Sequence, residues 1–326
     1  MHISNSIIRR LGLRLFVAAV ATLTAATASA GETNSYKWES IAPHFAILRE
    51  ATYTTPSGAE LRFTAIRFHL GHFRLKLAGT QDTLAAGRDV KDGIARFVVN
   101  GEPKAELLSY SLEGTFSHLK EKPFALAPAG WASNQRNPTQ IGLLRINGRD
   151  VFPLTRRPTF SAVLCINDTL YYKNYDATVP VVFTSNDISS LNLRARKCKD
   201  AVQVGPRIIE EGGKRGITEG ELKTERYQRV AFFVDDPHRD DALPARSREA
   251  ARNGYILLTH NRVHLFDLQT MLLDKQIYEG GEPHWAVNMA GDDHTGLLIN
   301  AHHEPDLIEN TLATIGSVLM IERRLD

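Results

Sequence analysis

Residues 61–77 read LRFTAIRFHLGHFRLKL. Phe63 and Ala65 alternate with polar neighbours, and Ile66, Phe68 and Leu70 continue in the opposite phase. Beyond Gly71, Phe73, Leu75 and Leu77 alternate with Arg74 and Lys76. A period of two is the mark of strands with one buried face, and the glycine marks a turn between them. Upstream the strand-like pattern reaches back to Trp38. Downstream, Val163-Leu164-Cys165-Ile166, Asn167-Asp168 and Thr169-Leu170-Tyr171-Tyr172 read as a hairpin. Val179–Phe183 and Ala201–Val204 add further strands.

The best helical pattern is His264–Leu273, with Leu265, Leu268 and Leu272 on one face and Phe266 and Met271 beside them. Glu210–Glu219 is a Gly-rich turn. Asp235–Gly254 is a charged excursion whose end, from Pro244, reads as a short helix. Strand signals outnumber helix signals and do not alternate with them one for one. The expectation is an α+β fold of mixed, largely antiparallel sheets with flanking helices, in a single domain.

The 326 residues are 43% hydrophobic and 23% charged, ordinary globular values that exclude wholesale disorder and a polytopic membrane protein. The first 30 residues carry Arg9, Arg10 and Arg14, an apolar run from Leu15 to about Ala26, and Ala28-Ser29-Ala30. A charged front, a short apolar core and an A-x-A end form a secretory signal, cleaved before Gly31. A spanning anchor needs about 20 apolar residues, more than this run supplies. The expected product, residues 31–326, is periplasmic or secreted, with no stable membrane insertion after cleavage.

Removing the signal leaves 36 basic against 37 acidic residues, which gives no electrostatic case for nucleic acid. Two cysteines remain, Cys165 and Cys198. An oxidising compartment allows them to bridge; two unrelated thiols, with Cys165 buried in a strand, is the other reading.

Three segments carry motifs: Ala201-Val202-Gln203-Val204-Gly205-Pro206-Arg207-Ile208-Ile209, Gln228-Arg229-Val230-Ala231, and Ala286-Val287-Asn288-Met289-Ala290-Gly291-Asp292-Asp293-His294-Thr295-Gly296-Leu297. In this order they resemble the phosphodiester glycosidase family, related to the enzyme that uncovers mannose 6-phosphate on lysosomal proteins. Its upstream N-(A/G)-G-(F/Y/M) turn is matched by Pro128-Ala129-Gly130-Trp131, ahead of Ile141-Gly142-Leu143-Leu144. The resemblance covers about 120–326; residues 38–120 are only compatible with it.

The resemblance implies hydrolysis of a sugar linked through its anomeric oxygen to a phosphodiester, often in envelope or exopolysaccharide chemistry. Arg229 and Arg207 would hold the anionic diester through paired N–H donors. Gln203, Gly205, Gly130 and Trp131 would line the ligand site, with Trp131 stacking on a sugar face. Glycosyl transfer wants a carboxylate at the sugar and an acid at the leaving group. Here the sequence departs from the family. Its Asp-Gly-Gly becomes Ala290-Gly291-Asp292, its Ser becomes His294, and its Asn becomes Pro128.

Two readings follow. In the first, Asp292 or Asp293 faces the anomeric carbon and His294 donates the proton. In the second, the fold is a binding pseudoenzyme for a glycan or glycophosphate.

A third reading comes from composition. His284, Asp292, Asp293, His294, His302, His303, Glu304 and Asp306 fall within 23 positions. Imidazoles with carboxylates suit zinc-like metals, which would make a metal-dependent hydrolase. No established ligand spacing such as H-E-x-x-H is present, so two polar loops flanking the strand Leu297-Leu298-Ile299 are the simpler account. Asp235-Asp236-Pro237-His238 is likewise read as a solvated loop. No metal and no cofactor is expected.

Overall fold

A computed structural model describes residues 36–79, 90–91, 94–99, 102–105, 111–119, 121–132, 140–156, 158–167, 179–184, 188–217, 225–236, 252–278, 281–308 and 315–324. The signal segment 1–30, the hairpin arm Thr169–Tyr172, His238 and the helix expected from Pro244 lie outside these residues.

The largest sheet has eight strands in the order Glu39–Ala42, Phe45–Thr54, Glu60–His69, Asn253–Thr259, Arg229–Asp236, Glu282–Gly291, Arg207–Glu210 and Lys214–Arg215. Every pairing in it is antiparallel. One five-stranded sheet runs Arg149–Phe152, Leu144–Ile146, Asp200–Val204, Ala162–Asn167, Val179–Thr184. A second runs Asp306–Ile308, Leu297–Ile299, Ala125–Pro128, Ser317–Arg323, Phe73–Gly79. Two smaller sheets complete the strand pairings among the described residues.

This overturns the α+β expectation. The fold is largely β, and the three α-helices among the described residues are short: α1 (Leu112–His118), α2 (Ile188–Ala195) and α3 (Leu265–Leu273). Each helix covers the outer face of one sheet, while the inner faces of the three sheets pack on one another. The shared core takes Phe68, Phe232, Val287, Ala127, Leu164 and Leu319 from all three sheets. Against the far face of the eight-stranded sheet, Leu265, Leu268 and Leu272 of α3 pack on Phe63, Ala231, Phe233 and Leu257.

The phase change read in residues 61–77 now has a cause. Leu61, Phe63 and Ala65 face the α3 side, whereas Ile66, Phe68 and Leu70 enter the core between the sheets. The strand begins covered on one face and ends covered on the other. The strand Ala162–Asn167 of the expected hairpin is present, with Val179–Thr184 on one edge and Asp200–Val204 on the other; Asp168 of its expected turn and the return arm lie outside the described residues.

Cys165 and Cys198 are disulfide-bonded, which settles the alternative left open by the sequence. The bond pins the end of α2 to the strand Ala162–Asn167, with Leu191, Ala195 and Ala201 packed around it. Closing a loop of 33 residues corresponds to roughly 3–4 kcal/mol of stability. Reduction, or a Cys165→Ala/Cys198→Ala variant, is therefore expected to lower the free energy of urea unfolding by about that amount.

Three histidines that the sequence did not flag meet at one corner. The His44 and His72 rings stack with centroids 3.6 Å apart, and His69 lies 5.1 Å from His72. Burial, then the charges of His72 and His44, pushes the His69 pKa down to about 4. An unfolded histidine titrates near 6.5, so the unfolded chain takes up protons first as the pH falls. The His69 contribution to stability is thus complete above about pH 6.5 and is lost on the way to about 4. Unfolding midpoints measured from pH 7 to 4.5 should fall less steeply for His69→Gln than for the parent.

Candidate functional site

Arg229 begins the strand Arg229–Asp236 and faces Gly291, the last residue of the neighbouring strand. Its side chain is 2% exposed, yet Nε and Nη2 find no hydrogen-bond partner among the described residues. The guanidinium lies 4.8 Å from the ring centre of Tyr227, a cation–π contact that holds it from below. Tyr227 is itself fixed by a two-way backbone bridge to Val263. Burial pulls the Arg229 pKa down to about 10, partly offset by Glu225, Tyr227 and Asp292, so the group is cationic at neutral pH.

A Cβ at Gly291 would come within 3.2 Å of Arg229 Nη1 and 3.0 Å of Trp131 Cη2. Glycine at 291 therefore lets the indole and the guanidinium approach the same point. Half-buried Trp131 donates from Nε1 to the Gly205 carbonyl at 3.3 Å, and Asn288 donates from Nδ2 to the same oxygen at 3.1 Å. The Asn288 Oδ1 is buried and also lacks a partner among the described residues. Gly130, at φ +84, has Gln140 Nε2 2.4 Å and Val202 Cγ2 2.9 Å from where a Cβ would be. Only glycine fits this approach, which seats Trp131 in its strand.

Asp292 follows Gly291 at φ +55, in the left-handed region that the family pattern fills with glycine. Its amide donates to the Gln228 carbonyl at 3.0 Å, and its half-exposed carboxylate accepts from Arg262 Nη2 at 3.1 Å. Asp293 is exposed and His294 is 9% exposed in the same 3-10 turn. Ala290, the position of the family carboxylate, points into the core between the sheets.

The structure thus brings Arg229, Trp131, Gly205 and Asp292 together, and it adds Tyr227, Gly291 and Asn288. It does not bring Arg207 to them. Arg207 pairs with Val287 on the opposite edge of the Glu282–Gly291 strand, which puts the two arginine Cα atoms roughly 16 Å apart. Its guanidinium turns toward Glu210 at 2.7 Å, further from Gly291, although Nη2 is buried without a partner among the described residues. Gln203 is also engaged elsewhere. Its Oε1 accepts from the amides of Leu143 (3.1 Å) and Thr155 (2.9 Å), and its Nε2 donates to the carbonyls of Thr155 and Phe160, both at 2.7 Å.

The histidine–carboxylate run separates in space. His284 meets Asp236 at 3.0 Å, and Asp292 lies eight residues on, roughly 26 Å along an extended strand. His302 and His303 are exposed, and Asp306 pairs with Arg49 at 2.8 Å. No group of three or more potential ligands is close enough to hold a metal among the described residues.

No family model matches the chain, and no curated protein matches it by sequence. Among solved structures, the catalytic domain of zebrafish N-acetylglucosamine-1-phosphodiester alpha-N-acetylglucosaminidase, auto-inhibited by its pro-peptide, is similar over 88% of this chain and 86% of that one. The TM-score is 0.53 and the identity 14%. A hypothetical protein from Synechocystis is similar over 88% of this chain and 64% of that one, at TM-score 0.49 and 12% identity. The first likeness defines the fold as phosphodiester-glycosidase-like. Among the described residues no helix is long and apolar enough to cross a membrane.

Proposed function

We propose that the protein binds a sugar-1-phosphodiester or a phosphodiester-bearing envelope glycan. The observation that carries this reading is Arg229. A cation 98% removed from solvent with two donor nitrogens unused among the described residues is costly unless an anion completes it. A phosphodiester supplies two acceptor oxygens for that fork, and Trp131 beside it offers a face for the sugar ring. The Asn288 Oδ1 offers an acceptor for a sugar hydroxyl.

Loss of the family carboxylate at Ala290 favours binding without turnover. Turnover is the second reading, favoured by Asp292, which directly follows Gly291 and whose charge reaches Arg229. In that case Asp292 or Asp293 serves as the carboxylate and His294 as the acid.

We place the protein in the periplasm or outside the cell, on the signal-like N-terminus and the Cys165–Cys198 bond, which suits an oxidising compartment. Hexose- and N-acetylhexosamine-1-phosphodiesters with methyl or glyceryl aglycones test the function directly. Binding predicts a ligand-dependent rise in melting temperature without product. Product formation that disappears in Asp292→Ala/Asp293→Ala would establish the hydrolase instead. If no diester shifts the melting temperature and none is cleaved, both readings fall.

A further inference from the structure

Leu193 is the one large apolar side chain strongly exposed among the described residues, at 65%. It sits on α2, whose Leu191 and Ala195 are buried against Val163, Cys165 and Cys198. The helical turn continues past Ala195, because the amides of Arg196, Lys197 and Cys198 donate to the carbonyls of Asn192, Arg194 and Ala195. Residues three and four apart share a helix face, so Arg196 and Lys197 stand beside Leu193. All three are exposed, as are Arg194 and Lys199.

A second segment widens this surface. The Gly148 amide donates to the Lys199 carbonyl at 2.6 Å, which brings exposed Arg149 alongside. Beneath them Arg145 donates to the carbonyls of Cys198 (2.9 Å) and Arg196 (3.3 Å) and pairs with Asp150. Asp200 is buried and accepts from the Asn147 amide at 2.8 Å. Arg196 and Lys197 therefore flank one exposed leucine, with exposed Arg149 at the same corner; of the carboxylates described above, Asp150 pairs with Arg145 and Asp200 is buried. The disulfide holds the backbone of this corner to the sheet.

We infer that this corner docks on an anionic lipid surface. Leu193 enters the acyl boundary while Arg149, Arg196 and Lys197 meet headgroup phosphates. A soluble polyanion would use the same cations but has no apolar layer to receive a leucine. One apolar side chain with a handful of cations makes a reversible, salt-sensitive attachment rather than an anchor.

Co-sedimentation of residues 31–326, which contain every described element, with phosphatidylglycerol/phosphatidylcholine vesicles tests this at low and high salt. Binding is expected to the anionic vesicles and not to phosphatidylcholine alone, and to weaken as salt rises. Leu193→Glu and Arg196→Glu/Lys197→Glu should each weaken it at least tenfold, roughly the loss of two surface charges, with unchanged melting temperatures. No binding to anionic vesicles at low salt would refute the inference. So would unchanged binding by Arg196→Glu/Lys197→Glu. If Leu193→Ser binds like the parent and dextran sulfate competes fully, the surface is one for polyanions and the lipid assignment is wrong.

Discussion

Arg229→Met is expected to melt at a higher temperature than the parent and to lose its response to sugar-1-phosphodiesters. The two effects share one cause. In the ligand-free protein the guanidinium is desolvated, with Tyr227 beneath it and two donors unused among the described residues. Replacing an unsatisfied buried cation with an apolar chain of similar length removes that cost, a gain of about 1 kcal/mol or more. The same change deletes two charge-assisted hydrogen bonds to the diester, each about 1.5–3 kcal/mol, so the Kd should rise at least a hundredfold. Arg229→Lys keeps the charge and loses the planar fork, and should fall between the two. Calorimetric titration and thermal melts on the three proteins check this. An Arg229→Met protein that is less stable, yet still binds, would remove Arg229 from the site.

The largest loss of stability is expected at Gln203→Ala. The side chain uses both lone pairs and both amide hydrogens to join the segments at Leu143, Thr155 and Phe160. Truncation takes a partner from four backbone groups, buried at Leu143 and Phe160 and part-buried at Thr155, at about 1–3 kcal/mol for each left unsatisfied. A loss of about 4 kcal/mol or more follows, a fall in melting temperature on the order of 10 °C for a domain of this size. Gln203→Glu should fare little better, because the oxygen replacing Nε2 would confront the Thr155 and Phe160 carbonyls. A loss below about 1 kcal/mol in urea unfolding would show that the segments hold together by other means.

Gln203 also marks where sequence reading reached its limit. Its motif was legible, but the motif does not say whether an amide faces a ligand or three segments of backbone. Arg229 was legible for a similar reason, and its environment was not: Gly291 becomes its neighbour only through strand pairing, and Tyr227, two residues before it, is held by a bridge to Val263. Asn288 lay inside a quoted motif and was passed over, since an asparagine carries no titratable signal.

Period-two alternation made the strand at residues 60–69 readable, and the leucine spacing made α3 readable. Their partners were not readable, because pairing joins segments far apart in the chain. The fold class was misread because the helices are brief covers on sheet faces rather than a layer of their own. The histidine run misled in the opposite way: closeness in sequence along an extended strand means distance in space.

Those pairings also set an order of assembly. The strand Glu60–His69 finds one neighbour in Asn253–Thr259, and Phe73–Gly79 pairs with Ser317–Arg323, about 250 residues later. A ribosome must therefore have made the residues up to Arg323 before the early strands can close their sheets, and loss of Ser317–Arg323 would remove the interior strand that joins Phe73–Gly79 to Ala125–Pro128. Such a chain acquires its tertiary structure late and slowly, which leaves it extended and threadable while it is being made.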